Sequence, residues 1–92
     1  MNINFEWDED KAFANMKKHG VSFDEAVSIF NDRLSLTIFD AEHSIGEERF
    51  IDIGLSNKDR VIVVVYTERE NNIRIISSRK AIKKEIKFYE SK

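Results

Sequence analysis

The chain has no cysteine, no proline and only three glycines in 92 residues. Without cysteine there is no disulfide framework and no thiolate metal site. Two histidines and scattered carboxylates do not suggest structural zinc either, and no metal site is expected. No apolar run approaches the roughly 20 residues that span a bilayer. The start of the chain lacks the basic and apolar regions of a signal peptide, so a soluble cytoplasmic protein is expected. There is no His-x-x-x-His, no glycine-rich phosphate loop, no Gly-x-Ser-x-Gly and no EF-hand pattern. Those absences set aside zinc proteases, nucleotide-binding folds and serine hydrolases. Asp8, Glu9 and Asp10 are adjacent, a spacing that splays carboxylates around a helix rather than gathering them. With no repeat, low-complexity stretch or linker, residues 1–92 read as a single domain.

What is present is charge, unevenly placed. The net charge is −2, which argues against a general nucleic-acid binder. Residues 1–48 hold 11 acidic and 4 basic side chains, whereas residues 49–92 hold 6 acidic and 11 basic ones. An acidic and a basic face are expected from that asymmetry.

Hydrophobic periodicity supplies the elements. Ile3, Phe5 and Trp7 alternate with polar residues, as in a strand. Asp8 is placed to cap a helix from about Glu9 to His19, with Phe13 and Met16 as its apolar stripe and Gly20 ending it. Lys11, Asn15 and Lys18 recur on another face of that helix, a solvated one in the plainest reading. Ser22-Phe23-Asp24-Glu25 matches a capping box, and Phe23, Ala26, Val27 and Phe30 make the stripe of a second helix. Leu34–Ile38 and Phe50–Ser56 alternate as strands. Val61–Thr67 is apolar at successive positions, as in a central strand covered on both faces, and Ile73–Ser77 follows. Ser77 or Ser78 is placed to cap a last helix with Ile82, Ile86 and Tyr89 inward. The expected class is α+β: an antiparallel four- to five-stranded sheet, with two N-terminal helices and one C-terminal helix packed on it.

The polar residues of Val61–Ala81 need a functional account. An Asn71-Asn72 turn would set Arg69 opposite Arg74, a like-charge pair that an anion could bridge. A Glu70-Asn71-Asn72 loop would instead set Glu68 opposite Arg74. Arg79 and Lys80 read as the opening of the last helix, where free amides and two cations suit an anion. Pairing of Arg79 with Glu48 or Glu68 would remove that reading. Tyr66 lies near a strand end, His19 at a helix C-terminus, and His43 in a polar loop with no evident partner.

Taken in order, these residues resemble the BrnT toxins of type II toxin–antitoxin systems. The resemblance rests on Phe5-Glu6-Trp7-Asp8, Lys11, Asn15, Lys18-His19-Gly20-Val21-Ser22-Phe23, Glu25-Ala26 and Phe30. It continues through Glu48-Arg49, Gly54, Val65-Tyr66-Thr67-Glu68-Arg69, Arg74-Ile75-Ile76-Ser77, Arg79-Lys80-Ala81, Glu85 and Tyr89. The chain departs from the family pattern in having Ser78 where an alanine is common, and in lacking a proline at Asp32-Arg33. The resemblance implies a RelE-like fold, a ribonuclease that cuts messenger RNA without metal or cofactor, and a ribbon-helix-helix antitoxin, BrnA. Operator DNA would be met only through that antitoxin, and a toxin dimer within the complex is compatible with it. With the family in view, Arg79 and Lys80 are candidates for phosphate and transition-state stabilisation. Tyr66 or His19 would move the proton, and Arg49, Arg74 and Lys11 would bind RNA. The non-enzymatic alternative is a partner-binding or transcription-regulatory domain of such a complex.

Overall fold

The structure, a computed structural model, describes residues 3–91. The order is β1 (Asn4–Glu6), α1 (Glu9–His19), α2 (Phe23–Ser28), a 3-10 turn (Ile29–Asn31), β2 (Leu36–Phe39), a second 3-10 turn (Ala41–His43), β3 (Arg49–Leu55), β4 (Val61–Arg69), β5 (Asn72–Lys80) and α3 (Lys83–Glu90). The strands form one sheet in the order β1-β5-β4-β3-β2. The β2–β3, β3–β4 and β4–β5 pairs are antiparallel, as expected. The β1–β5 pair is parallel, because α1 and α2 carry the chain across one face before it returns. The sheet is therefore mixed. Among the described residues no helix is long and apolar enough to cross a membrane.

The two faces of the sheet are built differently. On the inner face, Ile62, Val64, Tyr66, Ile73 and Ile75 pack against Val21, Phe23, Ala26 and Ile29 of the helical layer. Phe5, Phe30, Tyr66, Phe50 and Phe39 follow one another across this face with ring centroids 5.0–5.7 Å apart. The distances and tilts are those of favourable aromatic contacts. Among the described residues only α3 lies against the outer face of the sheet, and none of its residues is buried.

Local signals explain most boundaries. Asp8 accepts the amides of Asp10 and Lys11, and Gly20 ends α1 at φ +70°. Ser22 accepts the Glu25 amide, but the expected capping box is half made, since the Glu25 carboxylate turns inward to Arg60 instead. In α1 the expected stripe is also corrected: Phe13 is 68% and Met16 47% exposed, and the helix turns Ala12 and Asn15 to the sheet. Asn15 is buried because its amide is fully used. It donates to the carbonyls of Val21 and Ser78 and to Ser78 Oγ, and it accepts the Ser78 amide.

Neither hairpin register expected from the sequence occurs. The turn is Glu70-Asn71, with Glu70 at φ +55°, so Arg69 faces Asn72 and Thr67 faces Arg74. Further along, Val65 pairs with Ser77 while Tyr66 pairs with Ile75, leaving Ile76 as a one-residue β-bulge. The last strand also runs longer than expected. It reaches Lys80, and α3 begins only at Lys83, so neither Ser77 nor Ser78 caps it. Glu85 caps instead, accepting the Ile82 amide at 2.9 Å.

Candidate active site

Side-chain parity divides the candidate residues between the two faces. Cross-strand partners share a face, so Arg49, Thr67 and Arg74 form one row on the outer face. Ile51, Val65 and Ser77 make the next row, and Ile53, Val63 and Arg79 the one after. Arg74 and Arg79 are five residues apart and would face opposite ways on a regular strand. The bulge at Ile76 puts both on the outer face.

The three arginines differ in their partners. Arg79 makes two 2.8 Å bonds to Glu85, one to each oxygen. That fork raises the Arg79 pKa and holds the Glu85 carboxyl below the ordinary carboxylate range. The carboxylate expected for Arg79, Glu48 or Glu68, is thus replaced by one from α3. Arg74 pairs at 2.9 Å with Glu6, its register partner on β1. Arg49 is half-buried, and among the described residues its guanidinium has no hydrogen bond or ion pair. Between Arg49 and Arg74 in the row, Thr67 is 0% exposed, and its Oγ1 is buried without a hydrogen-bond partner. Arg69 is turned to Glu47 at 3.0 Å.

Beyond this row the outer face becomes apolar. A groove of about 740 Å³ runs between α3 and the sheet, floored by Ile38, Ile51, Ile53, Val63 and Val65 and edged by Phe88, Lys84 and Lys87. Two polar ties hold α3 over it, Arg79 to Glu85 and Tyr89 to Asp32 at 2.6 Å. Burial and the Asp32 carboxylate push the Tyr89 pKa up to about 12. Ile82, expected among the inward residues of α3, is 59% exposed.

The other sequence candidates lie elsewhere. Tyr66 is on the inner face, 3% exposed, and donates to Asp52 at 2.9 Å. Burial, with the Asp52 charge second, raises the phenol pKa well above its usual value, and burial likewise raises that of Asp52. Lys80 pairs with Ile62 and so faces inward at the strand end, not at a helix N-terminus. Arg79 and Lys80 therefore form no anion site at a helix N-terminus, although Arg79 stays on the outer face. Lys11 and His19 sit on α1, which packs against the inner side.

One local partnership was invisible in the sequence. His43 Nδ1 lies 3.0 and 3.2 Å from the two carboxylate oxygens of Asp40. Asp40 continues the β2–β3 ladder beyond Phe39, its amide bonded to the Arg49 carbonyl at 2.9 Å. The i, i+3 spacing was the available signal, but it acquires meaning only when Ala41–His43 coils into a turn. Among the described residues no group of three or more His, Asp or Glu side chains is placed to hold a metal ion.

A row of arginines around a buried hydroxyl, on a face that also carries an apolar groove, is suited to an extended polyanion and to a protein segment. No curated protein matches the chain. Its fold is similar to that in a 1.1 Å crystal structure of the Brucella abortus ribonuclease toxin BrnT. The TM-score is 0.69 over 89% of this chain and 100% of that one, at 22% identity. Residues 7–85 match the family described as "Ribonuclease toxin, BrnT, of type II toxin-antitoxin system", and the chain belongs to that family.

Proposed function

We propose that the protein is an endoribonuclease toxin that cuts messenger RNA by attack of the RNA's own 2′-hydroxyl, without a metal, on the outer face of the sheet. The observation that carries this reading is the Arg49–Thr67–Arg74 row, with Arg79 two rows away on the same face. RNA holds its nucleophile beside the scissile phosphate. The protein then has to align the 2′-oxygen, neutralise the charge that gathers on phosphorus-bound oxygen, and move two protons. A guanidinium can grip two phosphate oxygens at once. Arg49, which has no partner to give up, is the first contact, and Arg74 exchanges Glu6 for phosphate. Arg79 acts at longer range, because Glu85 already grips the two terminal nitrogens of its fork. Lys80, Lys11 and His19 belong to the opposite side and would meet only a flanking stretch of RNA. Tyr66 supports the site from beneath the sheet rather than moving a proton.

A protein antitoxin of the ribbon-helix-helix class, similar to BrnA, completes the reading, with operator DNA met through it. The test is cleavage of a defined RNA by purified protein in EDTA, with analysis of the product ends. A 2′,3′-cyclic phosphate and a 5′-hydroxyl are expected, and activity should fall in a folded Arg49→Ala variant. Metal-dependent cleavage, or an Arg49→Ala protein as active as the parent, would overturn it. The apolar groove under α3 favours a second reading, a partner-binding domain without catalysis, in which the purified protein leaves RNA intact.

A further inference from the structure

The outer face supplies cations but, within the strands themselves, no group that can take a proton near neutral pH. We propose that His43, oriented by Asp40, is the general base of the cleavage, an inference that rests on the ribonuclease reading above.

Position comes first. Phe39 and Phe50 are partners on the inner face, so the next pair outward, Asp40 and Arg49, points to the outer face. The turn that follows is closed by its own bonds. Ser44 Oγ donates to the Asp40 carbonyl at 2.6 Å and accepts the Arg49 amide at 2.9 Å. The loop bearing His43 is thereby fastened on both sides to the residues that frame the Arg49 end of the row. The charged residues of the segment around His43 are Asp40, Glu42, Glu47, Glu48 and Arg49, and Arg69 of β4 reaches Glu47 at 3.0 Å.

Orientation follows. With Nδ1–H donating to the Asp40 carboxylate at 3.0 Å, the neutral ring carries its free lone pair on Nε2. The His43 side chain is 61% exposed while that of Asp40 is 15% exposed. The pair therefore has a sheltered orienting group and an accessible reactive one. His19 and Tyr66 have no comparable arrangement. His19 is on the helix layer of the other face, and the Tyr66 hydroxyl is buried and committed to Asp52.

Nε2 of His43 accepts the 2′-hydroxyl proton as the O2′–P bond forms. The P–O5′ bond breaks, with Arg49 and Arg74 on the non-bridging oxygens, and the departing O5′ takes a proton from solvent water. The imidazolium returns its proton to the hydroxide so formed. The products are a 2′,3′-cyclic phosphate and a 5′-hydroxyl, with no net proton change.

The experiment measures cleavage of a defined RNA in EDTA by the full chain and its His43→Ala, His43→Gln, Asp40→Asn and Arg49→Ala variants, with a thermal melt of each. Both His43 variants should cleave about 10²–10⁴-fold more slowly with unchanged melting. Added imidazole should restore part of the rate to His43→Ala, and the fall in wild-type activity toward acid should be absent from its residual rate. Asp40→Asn should lose less. If Arg49→Ala is slow but either His43 variant is folded and as fast as the parent, the proposal is overturned while the ribonuclease reading stands. A slow His43→Ala that imidazole does not rescue, and that keeps the wild-type pH profile, also overturns it by assigning the loop a structural role. If the parent chain itself gives no cyclic phosphate, the underlying reading fails first.

Discussion

The inner and outer faces of the sheet share five strands and little else. On the inner face each buried polar group closes on a partner. Asn15 is fixed by four bonds to Val21 and Ser78. Glu25, 2% exposed, takes two bonds from Arg60 at 2.6 and 2.8 Å and one from Ser56 at 2.7 Å. Asp52 takes the Tyr66 hydroxyl. On the outer face, Arg49 and the Thr67 hydroxyl have no partner among the described residues, Arg74 and Arg79 hold theirs at half-exposed positions, and α3 sits on an apolar groove without burying a residue. A buried polar group without a partner costs roughly 1–3 kcal/mol. Such a cost is tolerable at a place that must receive something, and useless where helices already fill the space. One face is finished by folding; the other is left to be finished by a ligand.

Substitutions can break that contrast. Its severest test is Glu25→Ala, which takes the shared carboxylate from Arg60 and Ser56, leaves the partly exposed Arg60 with its Gly20 bond, and should cost about 2–3 kcal/mol in denaturant unfolding; a loss under 1 kcal/mol would mean that the inner network is decorative. Acid should mimic it. Arg60 holds the Glu25 pKa below the ordinary carboxylate value. Its stabilisation is therefore complete above about pH 4.3, the usual unfolded value, and is lost as pH falls through the lowered folded one. Glu25→Gln should lack this component of the acid transition. Asp52 works with the opposite sign. Burial raises its pKa, so its ionisation costs stability as pH rises, and Asp52→Asn should gain on the parent in that direction.

Next in size, Arg49→Ala and Arg74→Ala should each lower RNA cleavage about 10²–10³-fold while shifting stability by at most about 1 kcal/mol, as exposed or unpaired cations do. Asn15→Ala should show the reverse, about 1–3 kcal/mol of lost stability with cleavage per folded molecule preserved. The smallest effect sharpens the contrast most. Thr67→Val keeps shape and removes the orphan hydroxyl, so it should stabilise the protein by about 1 kcal/mol. A destabilised Thr67→Val would show that the hydroxyl is satisfied in solution.

Much of the inner face was legible in the sequence, because hydrophobic period, Asp8, Ser22 and Gly20 are local signals read by local rules. The parallel β1 was not, since its partner lies 68 residues away. Asn15 looked like solvated surface because its partners belong to a distant strand and a loop. The candidate site was legible in composition but not in assembly. Arg49, Arg74 and Arg79 stood out as cations, yet their common face depends on a bulge that no residue type announces. Glu85, the actual partner of Arg79, lies on an element whose start was misplaced by about one turn. His43 was seen without Asp40 because a 3-10 turn of three residues leaves no periodic trace.

Ile76 is the residue of β5 that the ladder does not count. Tyr66 pairs with Ile75 and Val65 with Ser77, so the extra residue is absorbed where it stands and Ser77 to Lys80 keep their partners. A one-codon deletion there would leave Ile75 inward, Ser77 outward, Ser78 against Asn15 and Arg79 toward Glu85, and would chiefly straighten the strand. In a deletion scan position 76 should thus behave like a spare letter. Its loss leaves the meaning of every residue downstream intact to the end of the strand.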